Sequence, residues 1–221
     1  MTDTNDAPVI VCLPNGPFLE NCYLIGDPDS NDAVIVDPGE DSDMFLDALR
    51  QRGWHLESIW LTHAHVDHVT GVAAVKEATG APVYLHPDDR QLYDHVVEQG
   101  AWLGLPAEAA AAPAPDHELH HGDRLTVGRF EFLVRHTPGH SPGSVSFVGH
   151  GVVFGGDVLF RESVGRVDLP GGDGATLMAT IRDHFLTLPE NTVVHSGHGP
   201  LTTIGYERDR NPFLTGAHPL A

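Results

Sequence analysis

The chain has 221 residues, with 31 Asp+Glu against 12 Lys+Arg and a formal net charge of −19. That balance disfavours nucleic-acid partners, whose binding rests on Lys and Arg displacing counterions. No apolar run reaches membrane-spanning length and no signal pattern opens the chain, so neither a membrane span nor a membrane partner is expected and a cytoplasmic location is.

One domain over 1–221 is expected, since a chain of this length and 41% hydrophobic content can bury one sizeable core. Residues 1–7 read as a polar, flexible tail. Val9–Leu13 and Asn21–Ile25 are short apolar runs around Pro14-Asn15-Gly16-Pro17, a strand–turn–strand signature. Ala33–Val36 is a third strand ending at Asp37-Pro38-Gly39. Asp41–Arg52 carries Phe45, Ala48, Leu49 and Arg52 on one stripe, has acidic residues in its first turn and Gly53 after it, and reads as an amphipathic helix. A strand over Ser58–Leu61 leads into Thr62-His63-Ala64-His65-Val66-Asp67-His68, and Val69–Val75 continues as a helix closed by Gly80. Pro82–His86 is a strand, and Pro87 opens a helical segment through Val97. Residues 101–116, rich in Ala and Pro, read either as a covering flap with Trp102 as its apolar contact or as a connector. Strands follow over Leu125–Val127, Phe130–Val134, Ser144–Val148 and Val152–Phe154, then a helix over Asp173–Leu188 and a closing strand over Thr192–Val194. Strands, helices, strands, then helix and strand without a linker fit a two-sheet sandwich with helices outside. Cys12 and Cys22 have no C-x-x-C spacing and read as buried free thiols in a reducing compartment.

The histidine stretch carries the chemistry. Burying three imidazoles and a carboxylate without a metal would leave polar groups unsatisfied. It lies beyond the C-terminal end of a strand, where open α/β sheets place ligands. His63 and His65 share a face of an extended segment, while Asp67 and His68 turn away. One stretch thus supplies ligands to two neighbouring ions.

Three further glycine-bounded turns each follow a β-type run: Thr137-Pro138-Gly139-His140-Ser141-Pro142-Gly143, Gly155-Gly156-Asp157, and Ser196-Gly197-His198-Gly199-Pro200. Together with the first cluster, in this order, they resemble the metallo-β-lactamase superfamily over nearly the whole chain. The resemblance implies an α/β fold, a four-layer αββα sandwich with a binuclear site at one edge. It implies His63, His65 and His140 at one metal, Asp67, His68 and His198 at the other, and Asp157 between them. Asp37 matches a position that orients a ligand histidine, a role of the kind that fixes an imidazole tautomer. Its other reading is a turn-forming Asp before Pro.

Within the superfamily, neither Cys lies in a ligand motif, which excludes enzymes with a cysteine ligand. A Glu typical of the diiron flavoproteins is absent at His65. The remaining group resembles glyoxalase II (hydroxyacylglutathione hydrolase) and its short relatives. Phe160–Gly172 supports this, with Arg166 where family members contact substrate, as does the tail to Asn211-Pro212-Phe213; Arg166 also reads as a loop salt-bridge partner. The chain ends soon after His198, without the helical region that supplies glutathione contacts in full-length members. The expected reaction is hydrolysis of a small-molecule thioester, glutathione-linked or other, by a hydroxide bridging two divalent metals, zinc first and iron or manganese as alternatives. Asp67 is the expected catalytic residue, orienting that hydroxide and accepting its proton. A second reading stays open. Persulfide dioxygenases share the fold and resemble this chain in the same motifs, and imply one iron held by His63, His140 and Asp157. A metal-binding protein without catalysis is the third.

Overall fold

The structure is a computed structural model that describes residues 7–102 and 112–218, with the Trp102 side chain excepted. The proposed flap contact of Trp102, the rest of that segment up to residue 111, and nearly all of the expected N-terminal tail lie outside the described residues.

Two six-stranded sheets form the centre. The first runs in order β1 (Val9–Asn15), β2 (Glu20–Gly26), β3 (Asp32–Val36), β4 (His55–Trp60), β5 (Val83–Leu85), β6 (His117–Glu118). Its first three strands are antiparallel, and β3 to β6 are parallel. The second sheet contains β7 (Arg124–Val127), β8 (Phe130–His136), β9 (Val145–Gly149) and β10 (Val152–Gly156). A separate hairpin follows, β11 (Leu159–Phe160) with β12 (Ser163–Val164), before β13 (Val193–Ser196) and β14 (Thr202–Thr203) complete the second sheet. β13 lies parallel to β10 and at its side.

Period-two alternation along the strands divides the core into three apolar layers. In β2, Cys22 and Leu24 face outward against the helices, while Tyr23 and Ile25 face the second sheet; in β3, Ala33 and Ile35 oppose Val34 and Val36 in the same way. Trp60 fills the space between the sheets, 5.1 Å from the Phe147 ring and 5.9 Å from Phe132, with its indole N–H donated to Ser58 Oγ at 2.7 Å. Beyond the second sheet, Val153 and Val194 pack on Leu177, Ile181, Phe185 and Ile204. Strands buried on both faces with helices outside make the expected αββα sandwich.

The helices depart from the expectations in informative ways. α1 (Ser42–Arg52) buries Phe45, Ala48 and Leu49 and ends at Gly53 with φ 65°. Arg52, placed on that stripe from sequence, is exposed and lies over the Trp54 ring. The helix expected from Val69 is two pieces, α2 (Val66–Val69) and α3 (Val72–Thr79). Gly71 sits between them with its amide bonded to Pro38 O, and a Cβ there would stand 2.2 Å from Gly39 O. The Pro87–Val97 segment is a 3-10 turn (Pro87–Asp89), α4 (Arg90–Asp94) and α5 (Val96–Trp102). The Asp173–Leu188 helix begins as α6 (Gly174–Thr180), capped by Asp173, and widens into a π turn over Ile181–Phe185. A final helix, α7 (Ile204–Arg210), is capped by Thr203. Both cysteines are free, but Cys12 is exposed and only Cys22 is buried, because β1 is the outermost strand of its sheet.

Candidate metal centre

The four histidine- and aspartate-bearing turns meet at one end of the sandwich, beyond the C-terminal ends of β4, β8, β10 and β13. His63 and His65 leave β4 in extended backbone. The short α2 then rotates Asp67 and His68 away, which is why one stretch serves two sets of donors. His140 comes from the turn after β8, Asp157 from the residue after β10, and His198 from the turn after β13.

His63, His65 and His140 form one set, with candidate donor atoms all within 4.8 Å of one another. His65 Nδ1 and His140 Nε2 are 2.7 Å apart. Asp67, His68 and His198 form the second set, with His198 Nε2 3.2 Å and His68 Nε2 3.9 Å from Asp67 Oδ2. The Asp157 carboxylate stands between them: Oδ2 is 3.5 Å from both His140 Nε2 and His198 Nε2, and Oδ1 is 3.6 Å from His68 Nε2. All seven sequence-identified donors therefore converge.

The surrounding residues fix the rings. Asp37 accepts from the Thr62 amide at 2.7 Å and the Thr62 hydroxyl at 2.5 Å, and lies 3.0 Å from His68 Nδ1. His63 Nδ1 meets Thr62 Oγ1 at 3.0 Å, and His198 Nδ1 donates to Phe18 O at 3.1 Å. His140 Nδ1 donates to the backbone carbonyl of Arg166 at 2.8 Å. The Arg166 guanidinium itself is held by both oxygens of Asp168, at 2.7 and 2.8 Å, at the cavity edge. The salt-bridge reading of Arg166 thus has a counterpart, and its main chain has a part that side-chain reasoning did not reach.

Two buried carboxylates escaped the sequence reading. Asp89 accepts from the Ala64 amide at 2.9 Å, Ser141 Oγ at 2.8 Å and the Gly143 amide at 2.6 Å, stapling the His63–His65 segment to the His140 turn. Glu20 has one oxygen on Asn15 Nδ2 at 2.6 Å and the other 3.8 Å from His68 Nδ1. In Pro87-Asp88-Asp89 an acidic residue reads as an ordinary helix start, so no local signal marks Asp89. Glu20 opens a strand whose every residue is buried, which only the fold reveals.

The donor set fits divalent cations. His63 Nε2, His68 Nε2 and Asp157 Oδ1 are buried without a hydrogen-bond partner, and each such group costs about 1–3 kcal/mol unless something binds it. Burial first, then the neighbouring imidazoles, pulls His63 well below its ordinary pKa, and burial and His140 lower His65 to about 3. Both rings are neutral and present lone pairs. At His68 burial opposes the charge, but Asp67 and Asp157 outweigh it and raise the pKa. Gly197 leaves room for the cluster, since a Cβ there would stand 2.2 Å from Asp157 Oδ1. A cavity of about 400 Å³ opens onto the donors, walled by Phe18, Leu92, Phe160, Val164, Leu169 and Pro170.

Residues 15–198 match the metallo-β-lactamase superfamily. The chain is 37% identical over 209 residues to the hydroxyacylglutathione hydrolase GloC of Haemophilus influenzae, covering 93% of this chain and 97% of that one. Among solved structures it is similar to the B3 metallo-β-lactamase BLEG-1 (45% identity, TM-score 0.87, 94% of this chain and 100% of that one). It is also similar to TTHA1623 in a di-iron-bound form (44% identity, TM-score 0.85, 92% and 100%). With its sandwich, its converging turns and this match over most of its length, the chain belongs to the metallo-β-lactamase superfamily.

Proposed function

We propose that the protein is a binuclear metal-dependent hydrolase of a thioester, of the hydroxyacylglutathione type. The observation that carries this is the position of Asp157, whose oxygens face both donor sets at 3.5–3.6 Å. His63, His65 and His140 would hold one cation, Asp67, His68 and His198 the other, and Asp157 both. Divalent cations at such a site polarise an acyl carbonyl and acidify a water.

The chain's own residues supply the rest. Asp67 lines the cavity and stays ionised: burial opposes the charge, but His68 and His198 hold its pKa well below the usual carboxylate range. A carboxylate oxygen there orients the attacking water and takes its proton. The apolar wall excludes bulk water and accepts the acyl group. Among the described lining residues there is no Lys or Tyr to protonate a leaving amine, and Arg166 is engaged by Asp168. A thiol with a pKa of about 8.5 leaves as thiolate without such an acid, which favours a thioester. Arg166 contacts a substrate carboxylate by exchanging Asp168 for it. The 37% identity to GloC supports the glutathione-linked class, and the 45% identity to BLEG-1 makes a β-lactam the competing substrate.

The test is metal content per chain with turnover of S-lactoylglutathione, for the wild type and Asp157→Ala. Two metals and turnover in the wild type, both reduced in the variant, are expected. A single iron with oxygen uptake on glutathione persulfide replaces this reading with the dioxygenase. Hydrolysis of a β-lactam without any thioester turnover replaces it with a lactamase.

A further inference from the structure

Besides the candidate donors and Arg166, two polar residues are found among the described residues of the cavity wall, Gln99 and Ser163. Gln99 stands in α5 and is 7% exposed. Its Nε2 donates to Ala64 O at 2.9 Å and to Leu92 O at 2.7 Å. These bonds use both amide hydrogens and settle which end of the amide is nitrogen, since an oxygen there would face two carbonyls. Oε1 is left over, with no donor among the described residues. Unlike His63 Nε2 or Asp157 Oδ1, it is not sealed inside the protein, and the space that Gln99 borders is the cavity.

The bond to Ala64 O says where in the cavity this oxygen lies. Ala64 joins His63 to His65, and His65 is itself in the cavity wall. The Gln99 amide is therefore at the donor end, away from the exposed guanidinium that Asp168 holds. Around it the wall is apolar, with Leu92 from α4 and Val164 from β12. The Ser163 hydroxyl, also on β12, makes only a 3.5 Å contact with Val164 O.

Resting on the thioester-hydrolase reading, the geometry points to Gln99 Oε1 as the acceptor for the hydroxyl of a 2-hydroxyacyl group. An acyl carbonyl brought to the donors has C2 as its next atom, so a hydroxyl on C2 is the O–H donor available at that end. An acyl group without it leaves the amide oxygen unpaired in an apolar wall, and a site built this way rejects such an analogue. Gln99 thus has two separate parts. Its nitrogen braces the peptide between two candidate ligands, which serves every substrate equally, and its oxygen selects among them.

The test compares S-lactoylglutathione with S-propionylglutathione, which differ by the C2 hydroxyl. Values of kcat/KM are measured for wild type, Gln99→Met, Gln99→Lys and Ser163→Ala. Both Gln99 variants are expected to lower the lactoyl-to-propionyl ratio about 10-fold, the worth of one hydrogen bond between neutral groups. A shift of the Ala64 peptide or a loss of metal lowers both rates and leaves the ratio where it was. Gln99→Lys keeps N–H donors for Ala64 O and Leu92 O, so it carries the test should Gln99→Met fail to fold. A readout without turnover is the calorimetric Kd of S-(2-hydroxypropyl)glutathione against S-propylglutathione, expected to favour the hydroxylated thioether in wild type alone. Equal Kd values in wild type, or an unchanged kcat/KM ratio in a Gln99 variant that turns over both esters, overturn the assignment and leave the hydrolase reading standing. A fall in the ratio confined to Ser163→Ala does the same. Turnover of neither ester by wild type overturns both.

Discussion

Asp37 holds a left-handed backbone, φ 51°, immediately before Pro38. A non-glycine residue there costs about 1–3 kcal/mol and persists only when its surroundings hold it. Here the Thr62 amide, the Thr62 hydroxyl and His68 Nδ1 all converge on its carboxylate. Those contacts account for the strain, and they are what an orienting residue needs and a simple turn former does not. Asp37→Asn keeps a residue that tolerates this backbone but loses the charge facing His68. It is expected to weaken metal binding about 10-fold to 100-fold, measured by competition with a chromophoric chelator.

Short elements place the site more than long ones do. α2 has four residues, yet it turns Asp67 and His68 from the first donor set to the second, and Gly71 stops it so that the chain can press against Pro38-Gly39. The junction of β5 and β6 depends similarly on Asp116, which accepts from the Val83 amide at 2.7 Å and pairs with Lys76. Burial opposes ionisation at Asp116, but Lys76 and the Val83 amide outweigh it and lower its pKa. With the folded value below the unfolded one of about 4, its stabilisation is present above that pH and is lost as pH falls through the folded value. Asp116→Asn keeps an acceptor for the Val83 amide but loses the charge, and should therefore cost about 0.5 kcal/mol at neutral pH, since the exposed ion pair adds little. Urea unfolding at neutral pH and in acid checks this: the gap from wild type should shrink in acid.

Across the whole molecule, the candidate donors hang from both sheets, and hydrogen bonds that include those of Asp89 hold the two sets of turns in register. Asn21 Nδ2 reaches Ser196 O and Gly199 O, and the Val145 amide reaches Thr62 O. Cations held by the candidate donors would add further cross-links between β4, β8, β10 and β13. Removing metal with a chelator is expected to lower Tm by about 5–10 °C, as follows for a ligand held well above its Kd in a domain of this size. An unchanged scanning-calorimetry Tm would show that the turns are held without metal. No described helix is long and apolar enough to cross a membrane.

The amino-acid sequence by itself pointed to the candidate donors, through the resemblance its motifs carry, and to the layers. His63, His65, Asp67, His68, His140, Asp157 and His198 each stand in a local turn signature, and the alternation in β2 and β3 is a local property of strands. Strand alternation is read from nearest neighbours, while the turns gain their meaning from their order and their resemblance to the superfamily. Tertiary structure alone decided what depends on partners remote in the chain. Asp89 binds Ser141 and Gly143, Glu20 faces His68, Arg166 serves His140 through its carbonyl, and His86 stacks on His136. No periodicity records those meetings, because burial and pairing arise only when the two sheets close on each other. The helix breaks have the same cause: Gly71 yields its helix to a contact with Gly39, which no propensity of its own neighbours foretells.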